Sequence, residues 1–221
     1  MYDQVFENLR ALFLERNSIA IAQEIPRLLA QMYNNQYLYG KTFYHPLGFI
    51  YSKLHEFPDK ESFRIHIWDR NYYSKKPAMD IHNHYYIVNS FIYRGCVRNN
   101  VYKVLVGVDD NFSVFEGSYT EKGDRILKKT ERTMSLVLDY SDVHCAGDFY
   151  RILHEHIHSG YPESEGPTCT IVYAEKPGNP NPLVLGSIDA EEEHYYPIRE
   201  VDPGVIDELF KGLIVKNDVN L

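Results

Sequence analysis

The sequence predicts an all-β barrel or sandwich with helices at its two ends, on three observations. Apolar–polar alternations of strand length recur about every ten residues between Phe49 and Tyr173. Nineteen tyrosines in 221 residues supply side chains suited to a pleated, half-buried surface. Helical spacing of apolar residues is confined to the ends of the chain. Hydrophobic residues make up 44% of the sequence, enough for one substantial core, so a single domain is expected over residues 1–221. Its parts are a helical extension (1–38), a β-barrel (45–177) and a C-terminal loop and helix (178–221).

From Met1 to about Leu38, Val5, Leu9, Leu12 and Phe13, then Ile21, Ile25, Leu28, Leu29 and Met32, recur at spacings of three and four. Two helices follow, divided near Arg16-Asn17-Ser18, with Asn17 or Ser18 capping the second and Pro26 bending it. Such helices pack on a β-domain or form a homodimer contact. Phe49–Leu54, Phe63–Trp68, Asp80–Gly95, Val101–Val106, Phe112–Phe115 and Met134–Leu138 read as strands, as do Phe149–Leu153, Ile157–Ser159 and Thr168–Tyr173. Gly95 marks a tight bend and return. The stretch from Pro177 to Pro197 holds four prolines and the run Glu191-Glu192-Glu193, which predicts an exposed loop. After Asp202-Pro203, the residues Val205, Ile206, Leu209, Phe210 and Leu213 share one helical face.

A net charge of −8 argues against a nucleic-acid surface, which needs clustered Lys and Arg. No apolar run is long enough for a membrane span, and no charged-then-apolar leader opens the chain. Cys96, Cys145 and Cys169 are odd in number and far apart, unlike a disulfide framework, and fit a reducing compartment. A cytoplasmic location is expected.

Two stretches carry chemistry. Read as a strand, His82-Asn83-His84 places two imidazoles on one face, because side chains alternate with a period of two. Neutral imidazoles converging in this way can hold a divalent ion. Leu153-His154-Glu155-His156-Ile157-His158 supplies three further histidines at intervals of two, and spacing alone does not choose among them.

The His-x-His followed by Gly95 resembles the first motif of the cupin family, and Tyr150 through His158 to the Thr168–Tyr173 strand resembles the second. Val88 stands where most cupins carry a glutamate, which directs the resemblance to the cysteine dioxygenase-like branch with its three-histidine iron site. The resemblance implies a double-stranded β-helix with His82, His84 and His158 as metal ligands, His156 being the main rival for the third place and His154 a lesser one. It implies Fe(II), with Zn, Ni or Mn as alternatives. Tyr51-Ser52-Lys53 lies where that branch has a Tyr-Thr-Arg segment, so Lys53 becomes the substrate-carboxylate ligand, as a point charge without a guanidinium's fork. Tyr173, ahead of Pro177, is similar to the branch's catalytic tyrosine. Its partner histidine and crosslinking cysteine are replaced by Ile171 and Asn89.

The resulting expectation is an oxygenase that combines O2 with a small amino-acid- or thiol-like substrate. Tyr86, Phe91, Tyr93 and Trp68 would wall the pocket, with Tyr86 contacting substrate. The alternatives are a non-oxidative isomerase or lyase, with Glu155 or Glu175 as acid or base, and a non-catalytic binding or scaffold protein. His194 beside the acidic run is a minor candidate for a second metal site.

Overall fold

The computed structural model describes residues 2–106 and 109–215; residues 1, 107–108 and 216–221 lie outside the described residues. The elements run α1 (Asp3–Leu14), α2 (Ser18–Asn34), β1 (Thr42–Tyr44), β2 (Ile50–Glu56), β3 (Ser62–Trp68), β4 (Ile81–His82) and β5 (Ile87–Arg94). Then follow β6 (Cys96–Leu105), β7 (Phe112–Tyr119), β8 (Arg125–Cys145), β9 (Phe149–Ile152), β10 (Ile157–Pro162) and β11 (Thr168–Glu175). The chain closes with β12 (Leu183–Ser187), β13 (Glu193–Tyr196) and α3 (Pro203–Val215). No described helix is long and apolar enough to cross a membrane.

The strands form two antiparallel sheets. One has six strands in the order β1-β2-β3-β11-β5-β9, the other seven in the order β13-β8-β6-β10-β4-β12-β7. This is a mostly β architecture compatible with a β-sandwich or jelly roll. Gly95 turns β5 of the first sheet into β6 of the second. It holds φ +71°, and a Cβ there would lie 2.5 Å from Thr168 Oγ1, so the bend requires glycine.

The main apolar core lies outside the space between the sheets. Phe63, Ile65, Ile67, Phe91 and Ile171 on one face of the six-stranded sheet join Phe6, Phe13, Ile25 and Leu29 of the N-terminal helices and Phe210 of α3 in one buried cluster. The helices form as their spacing predicts; the Asn17 side chain accepts the Ala20 N–H at 3.1 Å and caps α2. Phe91 and Tyr93 belong to this cluster, so neither walls the inter-sheet space as expected.

The segment from Pro177 to Pro197 departs from its predicted loop. β12 inserts between β4 and β7 and buries Val184 and Leu185, while β13 pairs with the start of β8. Four prolines frame these short strands without interrupting their ladders, which is why composition alone concealed them. The β-structure therefore extends well beyond residue 177.

The cysteines also depart from expectation. Cys96 and Cys145 are directly opposed on β6 and β8 and form a disulfide, with Cys169 free and buried. Sequence separation hid a pairing that strand register creates, and the argument for a reducing compartment falls with it. Replacing both with serine should lower unfolding stability by about 2–4 kcal/mol, because the bridge closes a long loop in the unfolded chain. Urea denaturation of the double variant, beside wild type with and without reductant, measures this; wild type under reductant should match the variant.

Candidate metal centre

His82 and His158 face each other directly in the β4–β10 ladder. Opposed residues of an antiparallel pair project from the same face, so register alone brings these imidazoles together, with ring centroids 4.9 Å apart. His84 arrives differently from the strand alternation expected of it. β4 ends at His82, and His84 lies in the crossing segment before β5 begins at Ile87. That segment is anchored from the C-terminal side: Asn83 Oδ1 accepts the Leu183 N–H at 2.6 Å, and Asn179 Nδ2 donates to the His84 carbonyl at 3.2 Å. The His82 and His84 rings end 4.7 Å apart.

One ligand nitrogen from each of the three histidines lies within 4.8 Å of the others, an arrangement that could hold a metal ion. The tautomers suit this. His82 Nδ1–H donates to the Asp80 carbonyl at 2.8 Å, and His158 Nδ1–H donates to Asn99 Oδ1 at 2.8 Å. Each bond leaves Nε2 as the unprotonated nitrogen, the arrangement that orients imidazole ligands in metal sites. His84 Nε2 lies 2.8 Å from His158 Nε2. Burial holds all three imidazoles below their ordinary pKa, with mutual repulsion adding to the effect at His84 and His158, so all are neutral donors near pH 7.

The cluster opens into a cavity of about 280 Å³ between the sheets. Its walls hold Tyr86 and Trp68, as expected, together with Arg64, His66, His45 and Arg125, which sequence reasoning did not single out. Arg64, His66 and Trp68 alternate with Phe63, Ile65 and Ile67 along β3, so a polar face opposite an apolar one was legible there. His45 lies in a turn-rich stretch with no such signal.

Several expected site residues are elsewhere. Tyr173 is 1% exposed and faces the helices, where it stacks on Phe63, donates its hydroxyl to Glu61 and accepts from Arg10 Nε at 3.0 Å. Its neighbour Val172 faces the cavity, and a displacement of one residue in a strand changes the face. Lys53 has a half-exposed side chain paired with Glu56 at 2.6 Å, away from the cavity wall. Its cross-strand partner Arg64 holds the cavity position and donates to the Tyr86 hydroxyl at 2.6 Å. His154 binds the Lys176 carbonyl and His156 accepts from the Leu153 N–H, so neither joins the cluster. His194 packs by Phe115 and Tyr196, and no ligand grouping forms around it among the described residues. No model of a known protein family matches the chain, and no curated protein does.

Tyr173→Phe should cost about 1–3 kcal/mol of stability, because buried Glu61 loses a donor, yet leave metal content unchanged. Urea denaturation and elemental analysis of one preparation read both effects. A second expectation concerns His66, whose pKa falls to about 3 through burial and then Arg64. Its folded pKa lies below its unfolded value, so the folded state resists protonation and stability is lost as pH falls from about 6.5 toward 3, by up to about 1.4 kcal/mol per pH unit. The His66→Gln variant should show a flatter stability profile than wild type between pH 7 and 4.5 in urea titrations.

Proposed function

We propose that this chain is a mononuclear non-haem iron oxygenase built on a cupin-type double-stranded β-helix, with His82, His84 and His158 as the metal ligands. The observation that carries the reading is the convergence of the three imidazoles, two with their Nδ1–H groups already committed to oxygen acceptors. Three nitrogens bound to one ion at about 2.1 Å lie roughly 3–3.5 Å apart. Small ring rotations therefore suffice from the separations present. The donor set is all-imidazole and neutral, which suits Fe(II) and equally Zn(II), Ni(II) or Mn(II).

Three protein ligands leave coordination positions open, and iron there supplies the binding and activation of dioxygen. The chain's own residues supply the rest. Asn99 and the Asp80 carbonyl fix two of the rings. Aromatic side chains such as Trp68 and Tyr86 exclude water from the space beside the histidines. Arg64, held by the Tyr86 hydroxyl and lying over that ring at 4.7 Å, takes the anchoring role expected of Lys53. Its planar fork suits a substrate acid group better than an ammonium does.

Support for isomerase or lyase chemistry is weaker. Glu155 is exposed, and Glu175 is buried among Asn89, Arg151 and Lys176, so neither carboxylate lines the cavity.

Anaerobically purified wild type should carry about one iron per chain. His82→Ala, His84→Ala and His158→Ala should each lose most of it, and Asn99→Ala should weaken metal affinity about 10–100-fold by freeing the His158 ring. Elemental analysis and competitive metal titration measure these, and oxygen uptake with candidate substrates separates an oxygenase from a non-oxidative enzyme. Metal content unchanged in all three histidine variants would overturn the assignment.

A further inference from the structure

The charges around the cavity say more about its ligand than the metal ligands do. Among the residues lining it, the ionisable side chains are histidine, arginine and tyrosine, with no aspartate or glutamate. Its two permanent cations come from different sheets: Arg64 from β3 of the six-stranded sheet and Arg125 from the start of β8 in the seven-stranded one. Neither arginine enters an ion pair with a carboxylate among the described residues, although this chain carries 31 acidic side chains. Both have an Nε–H buried without a hydrogen-bond partner. A buried guanidinium N–H without a protein acceptor is costly unless a water or a ligand in the cavity completes it.

Arg64 is held in place by a tyrosine of the wall, and Arg125 is flanked by two in the ladder. Arg64 donates through Nη1 to Tyr86 and lies over its ring. Arg125 stands between Tyr119 and Tyr196, its directly opposed residues on β7 and β13, and all three line the cavity. The two cations also bracket the histidines. Arg64 depresses the His84 and His66 pKa values, Arg125 that of His82, and His45 feels both, in every case after the larger effect of burial. His45 is kept neutral, and its Nδ1 accepts the Leu47 N–H at 3.2 Å, leaving Nε2–H as a further donor. The wall thus offers donors and positive charge, with aromatic surface between them.

We propose that the cavity binds a small diacid with an apolar or aromatic body and no ammonium group, one acid group seated on Arg64 and the other on Arg125. An α-amino acid fits poorly, because its ammonium would enter a space with two guanidinium groups and no carboxylate to receive it. The inference rests on the reading of this cavity as the substrate site and replaces the amino-acid-like substrate expected from the sequence; it does not depend on which metal the histidines hold.

The test is isothermal titration of the full chain after metal removal with chelator, using isophthalate, glutarate, benzoate and L-phenylalanine as probes. At least one diacid should bind tenfold or more tightly than benzoate, with L-phenylalanine weaker than benzoate. Arg125→Gln and Arg64→Gln should each reduce the diacid to benzoate-like affinity, with Arg64→Lys and Arg125→Lys recovering part of it and confirming that the fold survives. Failure of both diacids to exceed benzoate, equal binding of L-phenylalanine, or indifference to the arginine substitutions would overturn the proposal. Metal content, measured separately on the same variants, reports on the three-histidine centre alone, so loss of one reading is distinguishable from loss of the other.

Discussion

The six-stranded sheet commits its two faces differently, and the candidate site depends on that division. One face is covered by α1, α2 and α3 and carries the main apolar cluster. Burial there supplies the principal non-directional driving force for folding. The other face is released from that duty and can carry Arg64, His66, Tyr51 and Trp68 toward a polar cavity. Had the apolar core lain between the two sheets, as in a simple sandwich, those side chains would have had to be apolar. The helices at the two ends of the sequence are therefore a condition for the cavity, although none of their residues lines it.

Much of this was legible in the sequence, and the failures share a cause. The helices and most of the strands follow from periodicity and turn chemistry; the choice of His158 beside His82 and His84 rests on the family resemblance, and His84 reaches the cluster from a crossing segment instead of by strand alternation. Tyr173 and Val172 could not be told apart in the same way, because β11 is buried along its whole length and shows no polar–apolar alternation to mark its faces. Lys53 lies across the ladder from Arg64 on the same face, beside a break in register between Lys53 and His55; there it pairs with Glu56 while Arg64 lines the cavity, a difference that appears only in the assembled sheet. The disulfide, too, is a fact of register. Strand existence is a local property of sequence, whereas facing and pairing belong to the assembled sheet.

The chemistry of the site follows from a separation of charge. The chain as a whole is acidic, yet the cavity wall contains arginine and imidazole without a carboxylate. Acidic side chains that might have neutralised the cavity are engaged elsewhere: Glu61 with Arg10, Glu175 with Arg151 and Lys176, and Glu56 with Lys53. Keeping those anions out leaves the imidazoles neutral and the guanidinium groups available to an incoming acid.

The insertion of β12 between β4 and β7 has a kinetic side. The hydrogen bond from Leu183 to Asn83 joins positions 100 residues apart, and the His84–His158 contact spans 74. A nascent chain emerging from the ribosome at 5–20 residues per second has produced His82 roughly 5–20 s before it produces the strand that flanks it. During that interval β4 has an open edge. The second ladder of β4 can therefore form only after about 100 further residues have been made, and it comes from a segment distant in sequence from the histidines.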